Sequence, residues 1–261
     1  MVKIGAESRV RNQMRVMDVP RRARDAARSV LRRFDLDVVR YSPEAFLPLR
    51  RLAILRQQHV GVVLDVGANA GQYAEKLRSD GWSGRIVSFE PLTRAYADLE
   101  RLAAKDPSWD THRMALGAID GQTDIHVAGN SYSSSLLPML EQHVKSAPES
   151  VYVATESVRL SRLDTLAPDL MHEGESAFLK LDVQGFEREV LDGAAETLAR
   201  VRAIEIELSL VPLYEGAPLY DAMIGWLRDT GFEIVSLGRG FSDQETGQIL
   251  QMDGIFVRLD A

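Results

Sequence analysis

Cysteine is absent from the 261 residues, which excludes disulfides, thiolate metal sites and a cysteine nucleophile and leaves the redox compartment unreadable. No uninterrupted apolar run approaches the roughly 18 residues of a membrane span, and the N-terminus lacks the apolar core of a secretory signal. The expectation is a cytoplasmic chain with no transmembrane segment. Aromatic residues make up only 7% and the formal net charge is −7, with no surface that clusters basic and aromatic groups, so nucleic acid is not an expected partner. Internal repeats and low-complexity segments are also missing. What remains is an ordinary globular composition, 45% hydrophobic and 26% charged, long enough to bury one large α/β core.

Charge is unevenly spread. Residues 1–40 hold ten arginines and one lysine against five acids, a net +6, which leaves −13 for the rest. From Pro20 onward this segment reads as a basic amphipathic helix with Ala27, Val30, Leu31 and Phe34 on one stripe. Such a helix covers a neighbouring surface with its arginines in water, or lies on an anionic membrane, or binds an acidic substrate. It also offers a surface for self-association, so a homo-oligomer formed through the N-terminal helices is one expectation.

The most informative stretch is Val62-Val63-Leu64-Asp65-Val66-Gly67-Ala68-Asn69-Ala70-Gly71. A Val/Leu run reads as a strand buried on both faces, and it ends in an acid and a glycine-punctuated turn that leaves space beside the backbone. A second strand, Arg85-Ile86-Val87-Ser88-Phe89, ends in Glu90. An acid at the tip of strand two, beside a glycine turn after strand one, holds a ribose by its hydroxyls in nucleotide-binding α/β folds. A dinucleotide requires G-x-G-x-x-G and an open helix N-terminus for its pyrophosphate. Here Asn69 replaces the second glycine, and Gln72-Tyr73-Ala74 supplies no third. S-adenosylmethionine carries no phosphate, and the turn suits it. Asp65 would help hold its ammonium end, Glu90 its ribose hydroxyls, and the backbone from Gly67 through Asn69 and Gly71 to Tyr73 would line its sugar.

Beyond this turn the chain alternates strands and helices. Ala95 to Ala103 has helical periodicity, His112 to Gly117 reads as strand three, and Thr123 to Val127 alternates as a short strand behind the Asp120-Gly121 turn. Residues 129–150, with Ser133-Ser134-Ser135-Leu136, Pro138 and Pro148, read as a loop with at most a short helix, either a lid over a site or a surface excursion. Regular structure returns with the strand Ala177 to Val183, carrying Asp182 near its end, then a helix through Leu198 and a strand Ala203 to Leu208 carrying Glu207. A helix from Leu219 to Arg228 and two consecutive strands, Phe232 to Leu237 and Ile249 to Arg258, close the chain, and the last two must pair antiparallel or lie apart. Ligands of open parallel sheets lie outside the carboxyl ends of the strands. Asp65, Glu90, Asp182 and Glu207 should therefore gather along one edge, where cationic groups or bound ions must offset their repulsion.

These motifs, with Phe89-Glu90-Pro91, Leu179 to Glu187 and the closing Gln251 to Arg258, resemble the FkbM family of S-adenosylmethionine-dependent methyltransferases over roughly residues 60–258. The resemblance departs at Gln184, where the family often has Glu. It implies a Rossmann-like class I methyltransferase fold, with helices on both faces of a seven-stranded, mostly parallel sheet of strand order 3-2-1-4-5-7-6 whose C-terminal strand is antiparallel. It further implies methyl transfer to a hydroxyl of a sugar, glycoside or related natural product, so the expected partner is a small-molecule or oligosaccharide acceptor. The organisation expected is an N-terminal helical extension, residues 1–58, and a methyltransferase domain, residues 59–261. A hydroxyl must lose a proton as it is methylated, so a base or a metal is required. Asp182 is the first choice as base, with His126 and His143 as further candidates. Asp182 and Glu207 could instead hold Mg²⁺ through oxygen ligands, or each could cap a helix or pair with a lysine. A nicotinamide-dependent oxidoreductase and a non-catalytic binding module on the same fold are the other readings.

Overall fold

A computed structural model describes residues 21–37 and 41–258. The chain forms two compact units, residues 1–41 and 42–261. In the first, helix α1 (Arg21–Leu31) runs into a single 3₁₀ turn, Arg32–Phe34, and Arg28 and Arg32 both bind the carboxylate of Asp37. Pro20, expected at the head of this helix, lies outside the described residues. The extension expected over residues 1–58 spans both units: helix α2 (Leu47–Gln57) falls in the second, where Leu52, Ile54 and Leu55 are buried in its core.

The second unit is built on a seven-stranded sheet. Its strands are β1 (Val62–Val66), β2 (Arg85–Phe89), β3 (Trp109–His112), β7 (Ala177–Leu181), β8 (Val201–Ser209), β9 (Phe232–Arg239) and β10 (Gln251–Arg258). Their order is β3-β2-β1-β7-β8-β10-β9, and β10 runs antiparallel to both neighbours while the other pairings are parallel. This is the class I methyltransferase order, 3-2-1-4-5-7-6. Successive residues of a strand face opposite sides. Accordingly Leu64, Val87, Leu179 and Ile204 enter one core with α6 (Leu163–Leu170), α7 (Glu187–Asp192) and α8 (Tyr220–Asp229). Val63, Ile86, Phe178 and Ala203 enter the other, with α2, α3 (Gln72–Asp80) and α4 (Thr93–Ala103). Burial on both faces explains the unbroken apolar runs of the central strands. Among the described residues no helix is long and apolar enough to cross a membrane.

Three expectations about local structure are corrected. The strand expected over His112–Gly117 is two: β3 ends at His112, and β4 (Ala115–Leu116) leaves the main sheet to pair with a strand of a second one. That second sheet, of order β4-β6-β5, joins β5 (Gly121–Ala128) to β6 (Tyr152–Ser161), so regular structure returns well before Ala177. The helix expected through Leu198 ends at Asp192, and the chain resumes as a 3₁₀ turn over Thr197–Arg200. The apolar face of the second sheet, Ala115, Ile125, Val158 and Leu160, packs on Leu92 and Ala95 beside the carboxyl end of β2. It thereby walls off the edge where the site forms.

Candidate active site

The carboxyl ends of β1 and β7 meet closely. The Asp182 amide donates to Val66 O at 3.2 Å, and a Cβ on Gly67 would sit 1.9 Å from Asp182 O. With φ at +78°, Gly67 is required by this backbone approach. Gly71 is likewise hemmed in, by Trp109 and Leu99 at 3.0 and 3.2 Å from the Cβ it lacks. The sequence therefore locates the turn correctly, but both glycines make room for the protein itself.

Glu90 follows β2 and is 5% exposed. Its Oε2 accepts from the Asn69 amide at 2.8 Å and its Oε1 from the Leu92 amide at 2.9 Å, which locks the carboxylate against the glycine turn. Burial pushes its pKa up to about 7, against the pull of those two amides. Asn69 itself has φ of +47° and reaches across with Nδ2 to Ser131 Oγ at 3.3 Å, tying the turn to the serine-rich segment.

Asp65 and Tyr73 do not line the cavity. Asp65 is fully buried, pairs with Lys180 Nζ at 3.2 Å and accepts from Ser88 Oγ at 3.0 Å, while Ser88 accepts from Trp109 Nε1 at 2.9 Å. Tyr73 donates to Glu205 Oε2 at 2.9 Å, and Glu205 is clamped by both guanidinium arms of Arg51 on α2. Lys180 is the cation that the acid-rich edge calls for. Its Nζ also donates to Gly67 O at 3.0 Å and lies 3.7 Å from Asp182 Oδ2. Burial disfavours its charge, but Asp65 and Asp182 outweigh that cost and raise its pKa.

At the far end, Gln184 gathers the remaining acids. Its Nε2 donates to Asp182 Oδ1 at 2.7 Å and to Glu207 Oε2 at 3.0 Å, and its Oε1 accepts from Tyr214 Oη at 2.7 Å. Gln251 also donates to Glu207, at 2.6 Å. Burial, with Asp182, Glu187 and Asp253 nearby, drives the Glu207 pKa well above the usual carboxylate range. Ser135 Oγ donates to Gln184 O at 2.7 Å, so the serine-rich segment is anchored at this end too. The position between Asp182 and Glu207 is thus taken by an amide donor, and among the described residues no group of three or more His, Asp and Glu could hold a metal ion. The donor set does not fit the Mg²⁺ site expected at this pair.

The two histidines part company. His126, on β5, stacks on Tyr152 with centroids 4.8 Å apart and does not line the cavity. His143, on the short helix α5 (Glu141–Ser146), does line it, 2% exposed and edge-on to Tyr214 at 5.1 Å. Burial pushes its pKa down to about 4, so its imidazole is neutral at physiological pH.

One cavity of about 360 Å³ joins these parts. Gly67, Asn69, Glu90 and Leu92 line it together with Asp182, Gln184, Glu207, His143 and the segment Asn130 to Leu136. The volume falls in the range of small-molecule sites. Glu90 keeps a second lone pair on each oxygen for a ligand's hydroxyls, and the apolar Leu92 and Ala115 beside it suit a nucleobase, so the residues present fit S-adenosylmethionine. Sequence reasoning missed Lys180, Tyr214 and Gln251. A lone lysine within Phe178-Leu179-Lys180-Leu181 was the available signal for the first.

The family model described as the methyltransferase FkbM domain matches residues 65–234. The 2-O-methyltransferase NoeI of Sinorhizobium fredii is 28% identical over 193 residues, covering 72% of this chain and 78% of the relative. The AMB antimetabolite synthetase AmbE of Pseudomonas aeruginosa is 28% identical over 202 residues, which are 66% of this chain but 10% of that much longer protein. Among solved structures, Aeropyrum pernix fibrillarin with natively bound S-adenosyl-L-methionine aligns with a TM-score of 0.45 at 14% identity, covering 79% of this chain and 74% of that one. The chain belongs to the FkbM family of S-adenosylmethionine-dependent methyltransferases, on a class I methyltransferase fold.

Proposed function

We propose that the protein methylates a hydroxyl oxygen of a sugar, a glycoside or a related natural product. The observation that carries this reading is the cavity that Glu90, Asp182 and Glu207 line together. A nucleoside-bearing methyl donor and a hydroxyl acceptor can then share one enclosed space. NoeI, named a 2-O-methyltransferase, supports transfer to oxygen.

When bound, S-adenosylmethionine supplies an electrophilic methyl group on a sulfonium, and its displacement by a hydroxyl oxygen releases one proton. Each side chain has a part in that reaction. Glu90, fixed by the Asn69 and Leu92 amides, would accept from the ribose hydroxyls. Lys180 holds the Gly67 carbonyl and the Asp65 carboxylate from beneath, which keeps the turn rigid. Gln184 aims Asp182 and Glu207 into the cavity through one amide group. Asp182, whose side chain is 43% exposed, is the carboxylate placed to take the acceptor's proton. Alignment in the site supplies much of the remaining acceleration, and the segment Asn130 to Leu136 lines it.

The test is methyl transfer from methyl-labelled cofactor to a panel of glycosides, with Asp182→Asn alongside the wild type. Labelled methyl ether on a sugar hydroxyl, lost in the variant while cofactor binding persists, is the expected result. Label on nitrogen or carbon, or none on any hydroxyl, would contradict the reading.

A further inference from the structure

The acceptor's end of the cavity can be followed through contacts. Asp182 binds Gln184, Gln184 binds Tyr214, and His143 lies against both Tyr214 and Phe241, at 5.1 and 5.3 Å between centroids. Phe241, His143 and Ala147 therefore give the cavity an apolar and aromatic wall linked to Asp182 through Gln184 and Tyr214. The charges along the cavity are of one sign. Glu90, Glu149 and Asp182 line it, beside a Glu207 whose burial raises its pKa well above the usual carboxylate range and disfavours its charge, and among the described residues no lysine or arginine does. Lys180 is nearby but buried, and it is engaged with Asp65 and the Gly67 carbonyl. His143 contributes no cation either, because burial keeps it neutral.

On the reading proposed above, we infer that the acceptor is an uncharged glycoside with an apolar face, methylated after its sugar has been transferred from a nucleotide carrier. A nucleotide-activated sugar carries a diphosphate, which proteins hold with arginine, lysine or an open helix N-terminus. This cavity would instead set the diphosphate against carboxylates, the juxtaposition that interfaces use to reject wrong partners. A glycoside brings no charge. One face of its ring, or the aglycone itself, can lie on Phe241 and Ala147 while its hydroxyls meet Asp182 and the serine-rich segment. The reaction that supplies this substrate is therefore a glycosyl transfer, in which the anomeric carbon bonds to an aglycone oxygen and the nucleoside diphosphate leaves.

The experiment compares octyl glycosides of common hexoses and 6-deoxyhexoses with the matching nucleoside diphosphate sugars, using methyl-labelled cofactor and the full chain. The expected kcat/KM preference for the octyl glycosides is on the order of 100-fold or more. Equal or better transfer to the nucleotide sugars would overturn the inference and leave methylation of a sugar hydroxyl standing. Transfer to neither set, with cofactor bound, would overturn both. Glu149→Lys should narrow the preference, and an unchanged preference would count against the charge argument.

Discussion

Replacing Glu90 with Ala removes a carboxylate whose every contact is defined. Oε1 and Oε2 each accept one backbone amide, from Leu92 at 2.9 Å and Asn69 at 2.8 Å. One further lone pair on each oxygen remains for a ligand. Hydrogen bonds to a charged acceptor are worth about 1.5–3 kcal/mol, so cofactor Kd should rise roughly 10- to 150-fold. The same substitution leaves two amides without their acceptor, at a cost to stability of about 1–3 kcal/mol each unless water refills the space. Glu90→Gln keeps the shape but turns an NH₂ group toward one of those amide donors, so it should bind cofactor no better than the alanine variant. Titration calorimetry at about pH 8, above the Glu90 pKa, measures the affinity, and circular dichroism with a thermal melt separates it from unfolding. An unchanged Kd in folded Glu90→Ala would refute the ribose assignment.

Other outcomes follow from the same contacts. The free protein must ionise Glu90, with its pKa near 7, to accept the ribose hydroxyls, and the bound hydroxyls lower that pKa. Cofactor affinity should therefore rise with pH up to about 7 and then level off, with proton release on binding, and Glu90→Gln should flatten the profile. Lys180→Met leaves Asp65 buried without its ion pair and should cost about 3–5 kcal/mol in a denaturant melt; a loss near zero would show the pair to be idle. Gly67→Ala, facing both positive φ and the Asp182 carbonyl, should cost roughly 3–5 kcal/mol or prevent folding, as read from melting and soluble yield. Asp182→Asn should lower turnover about 10²- to 10⁴-fold with cofactor affinity intact, and a chelator should leave wild-type turnover unchanged.

The parts of the fold that were legible in the sequence are those set by local pattern. Val62 to Val66 and Ile86 to Phe89 are buried on both faces and read as strands by composition alone, and of the two outcomes left by the missing helix between the final strands, antiparallel pairing or lying apart, the first is found. β6 was lost because its first residues, Val153 to Thr155, face solvent and follow a polar, proline-bearing segment. β3 and β4 were fused because Arg113 and Met114 join them without a turn residue, and only tertiary pairing sends β4 to another sheet. The site divides in the same way. Glu90 and Asp182 sit at strand ends and could be placed from spacing. The true partner of Asp65 is its register neighbour Lys180 on a strand more than a hundred residues away, and no local pattern reveals that pairing. His126 and His143 were equivalent as letters; α5 brings one to the cavity, and β5 turns the other against Tyr152.

The central claim is that the cavity beside Glu90 binds S-adenosylmethionine. Titrating the full chain in a calorimeter with S-adenosylmethionine, and separately with NAD, tests it most directly. Saturable one-to-one binding of S-adenosylmethionine with no heat from NAD is the predicted result; binding of NAD instead, or of neither, would contradict the account.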